Sequence, residues 1–464
     1  MDACIPDNDP VRLISQFVEE MDLAALYDTY ERMPSEKYVS PEIMLKIMLY
    51  AYHEGKEISS RTIEKNCKRD INYMYLLEGR QAPDHAAIAR FRTKHFGKCA
   101  NLFLSQMTKI LLELKQLTKT EVFIDGTKIE ASANKYTFVW KKAVTKHQEK
   151  HLRKTALLVG DIIERYGCKP LWRKQVKKKH VKKLLKQLKI EAEKRELEFV
   201  SGRGHRKQQL QKDIEDLEAA LQKLKEYETK LHRCGARNSY SKTDHDATFM
   251  HMKEDHMMNG QLKPAYNIQH AVNSGFIVAA KVFPNPTDVM TLKPFMEQME
   301  ASLQFQFARV VADAGYESEE NLVYLRDKGI EAYIKPSNYE QIGTKKFEKE
   351  IGRKENMQYD QAGDYYICHN GKRVEKTGVK TRKTASGYLR EETHYECKDC
   401  SGCLCKEKCL AGKNWKKPLE ERNKKLTVSR LFEEMREEEY RLINSEEGKK
   451  LRMNRSIQAE GGFA

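Results

Sequence analysis

Two stretches of the chain run strand-forming apolar residues straight into a carboxylate and a glycine. They are Val122-Phe123-Ile124-Asp125-Gly126 and, far downstream, Val310-Val311-Ala312-Asp313-Ala314-Gly315. β-Branched and aromatic residues suit a buried, pleated strand, and in open α/β sheets reactive groups gather where strands end. Two Asp on neighbouring strands would put hard oxygen donors into one site, the ligand type that Mg²⁺ requires. Each Asp alone has a simpler reading, a turn or helix cap. The elements around them therefore decide.

A second chemistry-bearing cluster is made of thiols. Cys397, Cys400, Cys403, Cys405 and Cys409 place five of the eleven cysteines within thirteen residues. Thiolates at this spacing can close a tetrahedral Zn²⁺ site, for which Cys397, Cys400, Cys403 and Cys409 are the choice. Reduced thiols without metal, or an iron–sulfur cluster, are the alternatives. No His or carboxylate pattern accompanies them, so a metal held there would be structural.

A chain of 464 residues is long enough for about two to four domains. The net charge is +16, and residues 141–240 hold 28 Lys and Arg against 13 Asp and Glu, so nearly all the excess sits in one segment. Such concentration is the footprint of a polyanionic partner, most simply nucleic acid, without distinguishing DNA from RNA. No apolar run approaches the roughly 20 residues of a membrane span. An odd number of cysteines behind an N-terminus with no signal peptide points to a reducing cytoplasm and against a disulfide scaffold.

The elements that must position these groups can be read in order. Ser40-Pro41 opens a helix that stops at Gly55, a second starts near Ser59, a third covers 71–77, and Pro83-Asp84 opens a long one running to about Leu114. These short helices carry Arg61, Lys65, Arg90 and Arg92, the pattern of a helix-turn-helix-like DNA-reading unit or of an ordinary charged helical face. In residues 141–240 apolar positions fall roughly in heptads on either side of Ser201-Gly202-Arg203-Gly204, which predicts an antiparallel coiled-coil hairpin. Its first arm bears Lys178 and Lys182. Residues 266–272 and 276–282 alternate around Asn273-Ser274-Gly275 as a β-hairpin. Thr287/Asp288 then caps a helix to about Leu303, and strands and helices alternate to Pro336. A mixed sheet with helices on its faces follows, an α/β core split by insertions.

Several blocks together resemble the DDE transposases of bacterial insertion sequences, in particular those with a helical N-terminal domain and a Cys-bearing insertion. They are Pro83-Asp84-His85 with Ala89-Arg90-Phe91-Arg92, residues 125–131 with Asn134-Lys135-Tyr136, Ala312-Asp313-Ala314-Gly315-Tyr316, the cysteines of 397–409, and Arg455-Ser456-Ile457 with Glu460-Gly461 and Phe463. The resemblance extends from about residue 38 to the last residue. The resemblance implies an RNase-H-like α/β catalytic fold and a catalytic triad of Asp125, Asp313 and Glu460 holding two Mg²⁺ ions, with Mn²⁺ able to substitute. It implies Arg455 beside the substrate phosphates and further DNA contacts from Lys128. The activity it implies is metal-dependent cleavage and transfer of double-stranded DNA at element ends, by a homo-oligomer in the bacterial cytoplasm, at the nucleoid, with no membrane. The expected domains are a helical DNA-binding unit at 1–117, a catalytic core at 118–140 and 241–340, a basic helical insertion at 141–240, a Cys-rich insertion at 341–415 and a helix bearing the third acid at 416–464. Family members continue for a further helix, so the chain is expected to be C-terminally truncated. A catalytically inactive DNA-binding remnant and an RNase-H-like nuclease are the alternatives.

Overall fold

The computed structural model describes residues 2–31, 38–55, 58–169, 176–202, 205–252, 260–410 and 417–459, with the backbone alone at 460 and 461. The chain divides into two compact units, one of Met1–Asp125, His270–Lys281 and Leu292–Ala464, the other of Gly126–Gln269 and Val282–Thr291.

Thirteen strands occur among the described residues: β1 Glu121–Glu130, β2 Phe138–Trp140, β3 Ser239–Ser241, β4 Thr248–His251, β5 Leu262–Asn273, β6 Phe276–Phe283, β7 Arg309–Ala312, β8 Glu331–Ile334, β9 Gln358–Asp360, β10 Tyr365–Ile367, β11 Arg373–Lys383, β12 Leu389–Cys397 and β13 Lys425–Val428. The main sheet has the order β4-β5-β1-β7-β8, with β6 also on β5. β1 and β7 are parallel, as are β7 and β8, whereas β4 and β5 are antiparallel. β5 and β6 form the expected hairpin, turned by Ser274 and Gly275 at positive φ (51° and 84°). This mixed sheet, with helices against it and a helical N-terminus before it, is the arrangement of an RNase-H-like DDE domain.

The N-terminal helices follow their caps. The Ser40 hydroxyl accepts the Ile43 amide to start Pro41–Glu54, and Gly55 closes that helix in the left-handed region. Ser59, Asp70 and Asp84 cap the next three. The long helix expected after Asp84 is present and unbroken from His85 to Glu113, with one wider π turn inside it at Phe91–Phe96. The aromatic stack of Phe91, His95 and Phe96 occupies that turn. Buried residues from Ile5 to Phe103 form one core.

Residues 141–240 form three helices where two arms were expected, Lys141–Tyr166, Lys178–Lys194 and Gln209–Cys234. The first arm of a two-helix hairpin would leave one side of Gln209–Cys234 bare. Val159 and Ile162 of the first helix cover it, packing with Val181, Leu184, Leu188, Ile214 and Leu217. Phe199 lies outside the helices and is exposed. The turn expected at 201–204 falls partly outside the described residues.

The Cys-rich region is a five-stranded antiparallel sheet, β13-β12-β11-β10-β9. Its last strand comes from beyond the expected boundary at 415. Two helices follow it, Arg430–Asn444 on β8 and Glu446–Gly461 on β7 and β8.

Candidate active site

β1 and β7 pair in parallel with Phe123 opposite Val311. Carried two residues further, that register sets Asp125 beside Asp313 on the same face, with strands about 4.8 Å apart. Asp125 does not end its own strand, because β1 continues to Glu130. What stops is its neighbour: β7 ends at Ala312, and Asp313 continues in extended backbone before a 3₁₀ turn. One Asp313 oxygen accepts the Gly315 amide at 2.9 Å, so the cap reading holds for that carboxylate while its place beside Asp125 stands too. Asp125 is buried, at 4% exposure.

The helix Glu446–Gly461 covers this strand end. Its Arg455 guanidinium lies 3.7 Å from Asp125 Oδ1. Ala459 is buried with Phe123, Val311 and Tyr333, and its carbonyl lies 3.1 Å from His270 Nε2. Glu460 is on the same helix, and its side chain falls outside the described residues, as do residues 462–464. A cleft of about 580 Å³ opens over Asp313, lined also by Lys335, Lys449, Arg452 and Arg455. Lys449, Arg452 and Arg455 recur at every third residue, so one helix face carries three cations. That spacing is readable in the sequence, yet of the three it singled out only Arg455.

On the far side of Asp125 along β1, the backbone of Gly126 is closely approached. A Cβ there would lie 2.3 Å from Gln269 Nε2 and 2.9 Å from Asp288 Oδ1. The Asp288 carboxylate accepts from Asn267 Nδ2 at 2.7 Å and from Gln269 Nε2 at 2.9 Å. Asp288 was expected to cap the following helix. It instead begins a 3₁₀ turn whose carbonyl serves Thr291, and the helix starts at Leu292. The draw is the pair of buried amides on β5, which need an acceptor.

The basic residues singled out from the sequence separate into groups. Arg61 and Lys65 are exposed on Ser60–Cys67, which packs against His85–Arg90, the helix of exposed Arg90. Arg92 is half-buried and donates to the Ile58 carbonyl. Lys128 donates to the His251 carbonyl at 2.9 Å. Lys178 is engaged by Glu228, while Lys182 is exposed.

Cys397 and Cys400 are buried, and Cys403, Cys405 and Cys409 half-buried. A sixth cysteine, Cys368, packs against the same cluster as Cys397 and Cys400. Sequence reasoning missed it because it lies 29 residues away and is brought in by strand pairing. Among the described residues no three His, Cys, Asp or Glu side chains stand drawn together as a formed metal site, and no helix is long and apolar enough to cross a membrane.

Three family models match the chain. A transposase domain (DUF772) matches residues 1–94, and two models each described as a transposase DDE domain match 237–403 and 367–464. With the mixed sheet, these matches support a DDE-type transposase of an insertion sequence. Asp313, the cysteine cluster, Arg455 and Glu460 fall inside the matched ranges; Asp125 lies between them. No curated protein and no solved structure matches the chain.

Proposed function

We propose that this transposase cleaves and joins DNA strands at the ends of an insertion sequence, with Asp125, Asp313 and Glu460 as its acidic triad. The observation that supports the reading is the parallel β1–β7 register, with Phe123 opposite Val311, from which Asp125 and Asp313 each follow by two residues. Two carboxylates on adjacent strands supply hard oxygen donors for divalent cations, Mg²⁺ or Mn²⁺. Asp125, Asp313 and Glu460 would hold such ions, which when bound would supply Lewis-acid activation of an attacking water or 3′-hydroxyl and charge stabilisation of the leaving oxygen. Arg455, Arg452, Lys449 and Lys335 line the adjoining cleft as a cationic wall for the phosphodiester backbone. Exposed Arg61, Lys65 and Arg90 and the lysines of the three-helix insertion hold flanking duplex. The working form is a homo-oligomer on paired ends in the bacterial cytoplasm.

The test uses the full chain and duplex DNA carrying the terminal sequences that flank its gene. Mg²⁺-dependent nicking at the element end, followed by strand-transfer products, is expected. Asp125→Asn and Asp313→Asn each reduce cleavage by on the order of 10³-fold or more while leaving a gel shift intact. Undiminished cleavage by either variant refutes the assignment. Cleavage without transfer products would make the protein a nuclease, and binding without cleavage a DNA-binding remnant.

A further inference from the structure

Glu460 stands in the last turn of the helix Glu446–Gly461. Carbonyls in a helix's last turn are open to donors from outside the helix, and such ends open more readily than its middle. A third acid placed there needs something to hold the turn. Two contacts from one hairpin supply it. His270, on β5, is buried, and its Nε2 lies 3.1 Å from the Ala459 carbonyl. A carbonyl oxygen only accepts, so Nε2 carries the hydrogen and donates. Five residues on, in the β5–β6 turn, the Gly275 amide donates to Gln458 Oε1 at 3.1 Å. Residues 458 and 459, the two before Glu460, are thus both held from the same hairpin.

The hairpin is tied to the strands that carry the other two acids. β5 is hydrogen-bonded beside β1, the strand of Asp125. Val272, two residues past His270, packs in one cluster with Ala459, Leu451, Phe123 and Val311. Phe123 and Val311 precede Asp125 and Asp313 by two residues, so each lies on the same face as its aspartate. Ala459 is therefore seated over the strand face of both acids, and one turn earlier on the helix Arg455 reaches Asp125. Apolar contacts are non-directional and let a helix roll on its bed. A hydrogen bond to one backbone carbonyl is directional and sets the rotation. Rotation matters at this place, because neighbouring side chains leave a helix about 100° apart.

We infer that His270 is a positioning residue for the third acid. Its Nε2–H, backed by the Gly275 amide, fixes the rotation of the helix backbone that carries Glu460 relative to Asp125 and Asp313. The inference rests on the triad reading. His270 touches no reacting atom and acts only through the helix, 189 residues away in the chain from the carbonyl it holds.

The test uses the full chain and two variants. His270→Phe keeps a buried ring and loses the donor; His270→Gln places an amide donor near the position of Nε2. Without DNA or added metal ion, amides of residues 455–461 should exchange hydrogen about five- to tenfold faster in His270→Phe than in the parent, as for one lost hydrogen bond. His270→Gln should exchange near the parent rate, and β1 and β7 should be unaltered in both. In the end-cleavage assay, turnover of His270→Phe at saturating DNA should fall about 10- to 100-fold with the half-saturating DNA concentration unchanged, and His270→Gln should recover most of it. Gln458→Leu, at a half-buried position, removes the second contact and should loosen the same amides; it carries the test if His270→Phe does not fold. Parent-like exchange at 455–461 or parent-like cleavage in the folded variant overturns the inference. So does a loss of cleavage that His270→Gln fails to restore, which would make His270 a packing residue alone. A parent that does not cleave refutes the triad reading and this inference with it, whereas a cleaving parent beside an unaltered His270→Phe refutes this inference alone.

Discussion

The Asp125 carboxyl is buried in the sheet, and the Arg455 guanidinium comes within 3.7 Å of it from a helix more than three hundred residues later. A buried carboxylate needs a partner or a metal to offset its desolvation, so Arg455 stabilises the site as well as facing the cleft. A second buried acid behaves differently. Glu439 accepts the Ile334 amide at 2.9 Å, and burial, foremost, raises its pKa to about 8, with Glu438, Glu317 and Glu331 adding to it. The folded state therefore binds this proton more tightly than the unfolded chain does. The stabilisation is fully present below the ordinary value of 4.5 and is lost as pH rises through about 8. A tenfold difference in proton affinity between the folded and unfolded chain is worth about 1.4 kcal/mol, so the loss amounts to a few kcal/mol at about pH 9. Glu439→Gln cannot ionise, so its stability should fall less between about pH 5 and 9. Urea melts across that range check this; a parallel decline in parent and variant would contradict it.

Among the elements, β1 is the one on which the site depends, and it is held on both sides of Asp125. Its apolar half packs with Val272 and Val311. Its other half approaches the Asn267–Gln269–Asp288 cluster through Gly126, where no side chain fits. Gly126→Ala should cost about 1–3 kcal/mol, since the new methyl displaces a buried, hydrogen-bonded amide. Thermal unfolding measures the loss. An unchanged midpoint would mean that Gln269 moves aside freely. The helix Glu446–Gly461 is the other positioning element, packed on β7 and β8 with Arg455 and the Glu460 backbone on its last turns.

At the scale of the whole molecule the charge distribution is what would set DNA affinity under the proposed function. The excess of Lys and Arg is concentrated in residues 141–240, and on the helix Lys178–Lys194 both Lys182 and Lys183 are exposed. Contacts to phosphates release counterions, so binding weakens with salt at a slope set by the number of charges neutralised. Reversing both, Lys182→Glu with Lys183→Glu, should lower affinity similarly for element-end and unrelated duplexes and flatten the slope by about two. Fluorescence anisotropy at several salt concentrations reads both quantities, and an unchanged slope would remove these lysines from the interface.

Local signals carried much of this. The caps at Ser40, Ser59 and Asp84, the hairpin turn at 273–275 and the apolar runs before Asp125 and Asp313 are short-range, so side-chain type and spacing suffice to read them. The sequence by itself therefore determined the mixed sheet, the helical N-terminus and the two apolar strands that lead into Asp125 and Asp313. What the tertiary structure decided was every relation set by packing between distant segments. It put a π turn into the helix after Asp84, where Phe91, His95 and Phe96 meet, and added a third helix to cover an apolar face of the insertion. It also turned Asp288 from a cap into an acceptor for buried amides, set Asp125 level with Asp313, and carried Cys368 to the thiols of 397–409. Periodicity reports which face of an element is buried; it is silent on the partner, because strand register and helix docking are settled by side chains that meet across long stretches of chain.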